Sequence, residues 1–398
     1  MGKLNNNVED EVFMIIAERQ RTHPYLERVN GPLYEHWYFL HHRLLRVVTN
    51  HRSLLEDIRH FLYYAELLAD CTYECPADLA AGIPAALLRK VGEHLHFSPP
   101  LTCYLFETRP GEPFPPLPAQ AKPEEISWTD ISGVDGPLRA RWQAGPLRYR
   151  EYQSYPDVTS RVCSVLHKHD FQASIYIEEV AQCQPWFLTR FVFYMVVGVM
   201  LNFSGFEVIH AGAVALGEQG ILIAGPPTSG KSTLILSCLE HGLNLLGDDV
   251  LLLGRDAGKV KVYAFPEDIA VRSGTTGLLR HAPYMQNLPK DARQKRAVDV
   301  QRHFPGQFAG SSPVRLLVFL HPKNRAQSFQ TEPLSQAEAV SLLMREYMAQ
   351  QQVKASEADF MFDIFSDLAS QAPAYRLWLS PNSRENAERV QELLVRHI

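Results

Sequence analysis

Residues 225–233 match the sequence pattern of a phosphate-binding loop. These residues read Gly-Pro-Pro-Thr-Ser-Gly-Lys-Ser-Thr, a complete G-x-x-x-x-G-K-[ST] pattern. A short apolar run, Gly220 to Gly225, precedes the loop, and a helix-like run, Ser232 to His241, follows it. In such a loop successive backbone N–H groups point into one concavity, and the following helix adds its positive N-terminal end. The sequence therefore predicts a strand, a loop and a helix that together hold a polyphosphate.

Two side chains of the loop are expected to carry specific contacts. Lys231 is expected to reach the β- and γ-phosphates of a bound nucleotide, and the Ser232 hydroxyl is expected to ligate Mg²⁺. The alternative is a glycine-rich structural turn, which the strand-like and helix-like flanks disfavour. The predicted nucleotide-binding residues are Gly225, Pro226, Pro227, Thr228, Ser229, Gly230, Lys231, Ser232 and Thr233.

Two consecutive aspartates, Asp248 and Asp249, are the second candidate feature. They follow a short β-like run and lie seventeen and eighteen residues beyond Lys231, where an adjacent strand can return beside the loop. One of them can bind Mg²⁺ while its neighbour accepts the proton of an attacking hydroxyl. Because consecutive side chains of a strand point to opposite faces, the pair is expected at a strand end or a bulge. A surface Gly-Asp-Asp turn is the alternative.

Length, charge and hydrophobicity indicate a globular protein and exclude some classes of partner. The 398 residues, of which 46% are hydrophobic, are enough for more than one core. A net charge of −5 and a pI near 6.4 argue against nucleic acid or an anionic membrane as a partner. The apolar run Phe191 to Leu201 is shorter than the roughly 20 residues that cross a bilayer. Residues 186–203 are therefore expected to form a buried helix under the nucleotide-binding sheet.

The N-terminal half is predicted to be a separate α+β region, residues 1–180, that serves recognition or assembly. It includes an expected strand at 44–49, helices at 53–62 and 84–95, and an antiparallel hairpin that turns at His169 and Asp170. Six prolines between 109 and 123 predict a linker or exposed loop. The expected recognition feature is a group of exposed aromatic residues, Tyr34, Trp37 and Tyr38.

Residues 181–398 are predicted to form the nucleotide-binding domain. A strand at 208–215 and the strand that enters the loop are expected to form a hairpin, with further strands at 260–265, 314–321 and 375–379. Ser335 and Glu338 form a capping box at the start of a helix, and the last helix is expected at 383–398. The start of the chain has no charged-then-apolar signal pattern, so a cytoplasmic protein is expected.

Three segments, Ile209 to Gly212, Gly220 to Thr233 and Gly242 to Asp249, together resemble the catalytic domain of the HPr serine kinase family. That family shares its architecture with phosphoenolpyruvate carboxykinases, and the resemblance covers about residues 185–395. It implies an α/β fold, α+β overall, with a mixed sheet. By position it implies an active-site role for His210, binding of nucleotide by Lys231, metal ligation by Ser232 and Asp248, and a general-base role for Asp249. From the residues alone, a histidine that follows two β-branched residues is more often a core histidine.

The resemblance implies a kinase that uses ATP and Mg²⁺ to phosphorylate a hydroxyl on a peptide, protein or small metabolite. The alternative is a non-catalytic ATP-binding regulatory or partner-binding module. The glycine-rich signature of the bifunctional enzymes is not found, so phosphorylase activity is not expected. The sequence leaves open the acceptor and whether the chain forms homo-oligomers. A second cation beside the transferring phosphoryl is expected from Arg272, Arg293, Lys295 or Arg296.

Overall fold

Runs of β-branched and aromatic residues form two large mixed sheets and one small sheet in the computed structural model. The chain divides into two units, residues 1–204 and 205–398, and each contains one of the large sheets. Among the described helices, none is both long and apolar enough to cross a membrane. The structure describes residues 26, 29, 31–63, 65–73, 100–109, 129–130, 138–144, 147–153, 160–265, 268–279, 282–285, 288, 296–321, 328–351 and 359–397.

The first unit is built on a sheet with the strand order β3-β1-β2-β4-β9-β8-β7-β6-β5. The pairs β2–β4 and β4–β9 are parallel, and the other neighbouring strands are antiparallel. The strands are β1 (Leu33–Leu40), β2 (Arg43–Thr49), β3 (Glu66–Tyr73), β4 (Leu101–Thr108), β5 (Thr129–Asp130), β6 (Leu138–Ala144), β7 (Leu147–Gln153), β8 (Arg161–His167) and β9 (Gln172–Glu178).

Helices cover part of this sheet. Helix α1 (Arg52–Phe61) packs on β1 and β2. After a single helical turn, Pro185–Phe187, a π-helix at Leu188–Phe193 continues into α2 (Tyr194–Asn202), which packs on β8 and β9. The apolar segment 186–203 is thus a helix, as predicted, but it belongs to the core of the first unit. The expectation that it packs under the sheet of the second unit is wrong. The segment is hydrophobic on all sides, so its sequence predicts burial but does not specify which sheet it packs on.

Several predictions for the first unit are confirmed, and one is wrong. The strand at 44–49, the helix at 53–62 and the hairpin that turns at His169 and Asp170 are all present. Trp37 and Tyr38 are only 0% and 1% exposed, so these two members of the expected aromatic group are buried, whereas Tyr34 is partly exposed. The predicted helix at 84–95 and residues 110–123 of the proline-rich segment lie outside the described residues.

The second unit contains a sheet with the strand order β10-β14-β15-β18-β12-β11-β13. The far half of β18 also pairs with β20, which pairs with β19, and β16 and β17 form the small separate sheet. The strands are β10 (Glu207–Ile209), β11 (Gly212–Leu216), β12 (Gln219–Ala224), β13 (Asn244–Gly247), β14 (Leu251–Asp256), β15 (Lys259–Tyr263), β16 (Ile269–Val271), β17 (Arg296–Val298), β18 (Ser311–Leu320), β19 (Gln330–Leu334) and β20 (Ala374–Trp378).

Strand direction determines where the site lies. The pairs β12–β18 and β18–β20 are parallel, whereas β11 is antiparallel to both β12 and β13. The carboxyl ends of β12, β13, β18 and β20 therefore meet at one edge of the sheet, which we call the carboxyl edge. The phosphate loop follows β12 and Asp248 follows β13, so both lie at this edge.

Helices cover both faces of the second sheet. One face buries α3 and α8 on a cluster that includes Ile223, Leu234 and Leu394. The other face buries α6 and α7 on a cluster that includes Leu222, Leu343 and Phe365. The helices of this unit are α3 (Lys231–Glu240), α4 (Ser273–Leu278), α5 (Val300–His303), α6 (Gln336–Gln351), α7 (Asp359–Gln371) and α8 (Ser383–Val395).

Most elements of the second unit agree with the sequence, with two differences. The expected strand 208–215 is interrupted at His210 and Ala211, and its two parts pair with different neighbours, β14 and β12. The boundary between the units falls after Ser204 rather than after residue 180, because α2 packs within the first unit. The capping box is confirmed: Ser335 N–H donates to Glu338 at 2.8 Å, and Glu338 N–H donates to Ser335 Oγ at 3.3 Å.

Candidate functional site

The phosphate loop has the backbone geometry of an anion cradle. Gly230 has a φ of 102°, a conformation that favours glycine, and α3 begins at the next residue. Thr228 also has a positive φ, 67°, which costs about 1–3 kcal/mol and is typical of functional loops. The first four N–H groups of a helix lack partners within the helix, so the start of α3 offers donors to a ligand.

Ser229 and Gly225 of the loop fit a bound polyphosphate. Within the described part of the chain, the buried Ser229 Oγ has no hydrogen-bond partner. This hydroxyl faces Gly225, where an added Cβ would lie 2.9 Å from it. A larger residue at 225 would therefore collide with Ser229 and Leu320. A ligand that reached Ser229 Oγ would satisfy a buried polar atom.

Lys231 is folded back into its own loop. Its Nζ donates to the carbonyl of Gly225 at 2.6 Å, and its side chain is buried. Burial lowers the pKa of this ammonium, and the charges of Asp249 and Asp248 oppose the shift. A phosphate oxygen is a stronger acceptor for an ammonium group than a neutral carbonyl is. The lysine is therefore poised to exchange a backbone contact for a phosphate.

Ser232 and Asp248 form the first of two side-chain pairs. Ser232 Oγ donates to Asp248 Oδ2 at 2.9 Å, and Asp248 is only 4% exposed. A hydroxyl beside a carboxylate is the donor set that Mg²⁺ takes from protein at a nucleotide site. Among the described residues, no group of three or more His, Cys, Asp or Glu side chains could hold a metal ion.

Asp249 and His210 form the second pair. His210 Nε2 lies 3.1 Å from Asp249 Oδ1, and the Asp249 side chain is 47% exposed. The two aspartates thus face different surroundings, one buried against Ser232 and the other partly open to solvent. This separation leaves Asp249 accessible to a second substrate while Asp248 faces the loop.

Local irregularity in the sheet brings these residues together. The pairing of β11 with β13 shifts register between Ala213 and Val214, and β13 ends at Gly247, so both aspartates follow a bulge at a strand end. An added Cβ on Gly212 would lie 2.3 Å from Ile235 and 3.1 Å from the Asp248 carbonyl. Glycine at this position therefore allows β11, α3 and the aspartate turn to approach closely.

Of the four candidate cations, two lie in the described residues. Arg272 is exposed and immediately precedes α4, whose Thr275 hydroxyl lies 2.9 Å from the hydroxyl of Thr233 in the loop. Arg296 lies in β17 and donates to the Leu288 carbonyl at 3.3 Å. The structure thus connects the segment of Arg272, rather than that of Arg296, to the loop. Arg293 and Lys295 lie outside the described residues.

One acidic residue near the site was not found from the sequence. Glu346 lies near the end of α6, where Ala339, Leu343 and Glu346 share a buried helical face. Its charge contributes to the electrostatic surroundings of Lys231 and opposes the lowering of that lysine's pKa. The sequence does not reveal that this glutamate lies near the site. Its position follows from the sheet topology, which places the end of α6 at the carboxyl edge.

Comparison with known proteins gives little further information. No protein-family model matches this chain. No curated protein matches it either. Among solved structures, it is similar to the Hpr(Ser) kinase/phosphatase from Coxiella burnetii, with 13% sequence identity over 48% of this chain and 93% of that chain. The TM-score is 0.25, so this likeness is too weak to decide fold or function.

Proposed function

We propose that residues 205–398 form a Mg-ATP-dependent kinase domain of the HPr serine kinase type. The domain would transfer the γ-phosphoryl group of ATP to a hydroxyl of a peptide, a protein or a small metabolite. The observation that carries this proposal is the meeting of Lys231, the Ser232–Asp248 pair and the His210–Asp249 pair at the carboxyl edge.

The loop and its lysine would bind the polyphosphate. The N–H groups at the start of α3 donate to phosphate oxygens, and Lys231 exchanges the Gly225 carbonyl for a phosphate oxygen. Ser232 and Asp248 would hold Mg²⁺, which when bound neutralises charge on the β- and γ-phosphate oxygens. Burial of Asp248 favours this role, because a buried carboxylate is stabilised by a neighbouring cation.

Asp249 would act as the general base. It accepts the proton of the acceptor hydroxyl as the acceptor oxygen forms a bond to the γ-phosphorus. The bond between that phosphorus and the β–γ bridging oxygen breaks, and ADP leaves with the bonding electrons. His210 holds Asp249 through their contact at 3.1 Å, so we assign it to positioning the base.

Charge on the transferring group would be balanced by a second cation. Arg272 is the best candidate among the described residues, because α4, which follows it, contacts Thr233 of the loop. Three carboxylates, those of Asp249, Asp248 and Glu346, contribute negative charge to the electrostatic surroundings of Lys231. An additional arginine would therefore aid both binding and transfer.

A non-catalytic ATP-binding module would share the loop and the metal pair but would need no base. The position of Asp249 favours the kinase. Its side chain is half-exposed and contacts His210, whereas the loop serine pairs with Asp248, so Asp249 is free of the metal pair and can act as a base. We further propose that the protein acts in the cytoplasm with a hydroxyl-bearing acceptor, and without nucleic acid or membrane as a partner.

Thermal unfolding with and without Mg-ATP tests the proposal. A ligand that binds only the folded state adds about 2.7 kcal/mol of stability at a hundredfold excess over its Kd. We expect a clear rise in Tm for the wild type and loss of most of this rise for Lys231→Ala. Lys259→Ala, at an exposed lysine in the same unit, is the matched control and should keep the full rise. A well-folded wild type with no response to Mg-ATP would contradict nucleotide binding.

A further inference from the structure

An aromatic pair lies at the carboxyl edge, outside the phosphate loop. The rings of His321 and Trp378 stack with their centroids 5.1 Å apart and their planes inclined by 27°. His321 directly follows β18, and Trp378 is the last residue of β20. The backbone N–H of His321 donates to the Leu377 carbonyl at 2.9 Å, so the two strand ends hold the rings together. Both side chains are partly exposed.

The pair is close to the start of the phosphate loop. Strands β12, β18 and β20 are parallel neighbours in that order, with a spacing of about 4.8 Å between adjacent strands. The end of β18 directly contacts the loop, because a Cβ added to Gly225 would lie 3.1 Å from the Leu320 carbonyl. His321 is therefore about one strand spacing from the end of β12, and Trp378 is about two.

Strand order also sets the direction of a bound nucleotide. Asp248 follows β13, which lies on the opposite side of β12 from β18 and β20. The metal-binding end of the polyphosphate is drawn towards Ser232 and Asp248. Extended along the edge, the nucleoside end therefore points away from Asp248 and towards β18 and β20, where the aromatic pair lies.

We propose that His321 and Trp378 form the platform on which the purine base of the bound nucleotide stacks. The inference rests on the proposed function, since it requires a nucleoside triphosphate in the loop. Aromatic side chains bind bases through their flat faces and need no hydrogen-bonding pattern to do so. The absence of a guanine-reading N-K-x-D element in the sequence agrees with binding by stacking.

Calorimetric titration with two ligands, Mg-ATP and Mg-tripolyphosphate, tests the platform in the full-length protein. Tripolyphosphate has the phosphate chain but no base. Trp378→Ala should weaken ATP binding about tenfold, within the range of base stacking, and should change tripolyphosphate binding less than about twofold. Trp378→Phe should keep most of the ATP affinity, because a stacking face remains. Lys231→Ala should weaken the binding of both ligands.

A matched control lies on the same strand. Tyr375 and His397 form a similar ring pair, with centroids 5.6 Å apart, and Tyr375 points to the opposite face of β20 from Trp378. His397→Ala should leave the affinity for both ligands unchanged. If Trp378→Ala does not fold, as judged by thermal unfolding, His321→Ala gives the same comparison.

The outcomes separate the two proposals. Unchanged ATP affinity in a folded platform variant, or equal weakening for ATP and tripolyphosphate, would overturn the base platform and leave the kinase proposal standing. Failure of the wild type to bind either ligand would overturn the nucleotide site itself.

Discussion

At the scale of single residues, the two consecutive aspartates show how position changes chemistry. Asp248 is 4% exposed and accepts a hydrogen bond from Ser232, whereas the Asp249 side chain is 47% exposed and contacts His210. The side chains are chemically identical, so the different roles proposed for them rest on their surroundings alone. Metal binding suits the buried carboxylate, and proton transfer suits the accessible one.

Substitution of each aspartate should therefore have a different effect. Asp248→Asn should weaken Mg-ATP binding about tenfold or more, because it removes a charged metal ligand. Asp249→Asn should leave Mg-ATP binding within about twofold and lower the rate of transfer by about 10²- to 10⁴-fold. Binding is measured by calorimetry, and transfer by the incorporation of labelled phosphate in fractionated cell extract.

His210→Gln supplies a control for the second pair. It should reduce the rate of transfer less than Asp249→Asn does, because it alters the contact that positions the Asp249 carboxylate but keeps the carboxylate itself. Full transfer activity in both aspartate variants would show that the active site lies elsewhere.

At the scale of elements, the sequence predicts where helices and strands occur better than it predicts which elements they pair with or pack against. The strand, loop and helix around Gly225, the capping box at Ser335 and the strand β18 all follow from local patterns. The break at His210 is not predicted, because it arises where the two parts of 208–215 pair with different strands, β14 and β12. The partners of an apolar helix such as α2 are equally hidden from the sequence.

The direction of α6 leads to a prediction about Glu346. Strand β19 is antiparallel to β20, so α6 starts at the opposite edge of the sheet and runs towards the carboxyl edge. Glu346, which also pairs with Arg345 at 3.5 Å, adds negative charge to the electrostatic surroundings of Lys231 and would oppose the binding of phosphate. Glu346→Gln should therefore tighten ATP binding about two- to tenfold, as measured by calorimetry at low ionic strength.

Glu338→Gln provides a control on the same helix. Glu338 lies at the other end of α6, in the capping box, so its substitution should not change ATP affinity. Weaker ATP binding by Glu346→Gln would contradict the repulsion and would indicate that this carboxylate instead holds Lys231 in place.

At the scale of the whole molecule, each unit has a sheet and buried clusters of its own. The second unit buries both faces of its sheet with helices from residues 205–398, and every residue of the candidate site lies within this range. The chemistry proposed here therefore needs no residue of the first unit. The first unit has no nucleotide motif, so a role in acceptor choice or assembly is proposed for it, and the alternative is that it only completes the fold.

A fragment that begins at Gly205 should distinguish these roles. We expect it to fold, because its core is complete, and to bind Mg-ATP with an affinity within about threefold of the full chain's. If the first unit chooses the acceptor, the fragment should lose at least about tenfold in kcat/KM for the native acceptor while keeping its ATP affinity. Unchanged kcat/KM would refute a recognition role. Aggregation of the fragment would contradict the expectation that its core is complete. It would show that residues 1–204 stabilise the second unit.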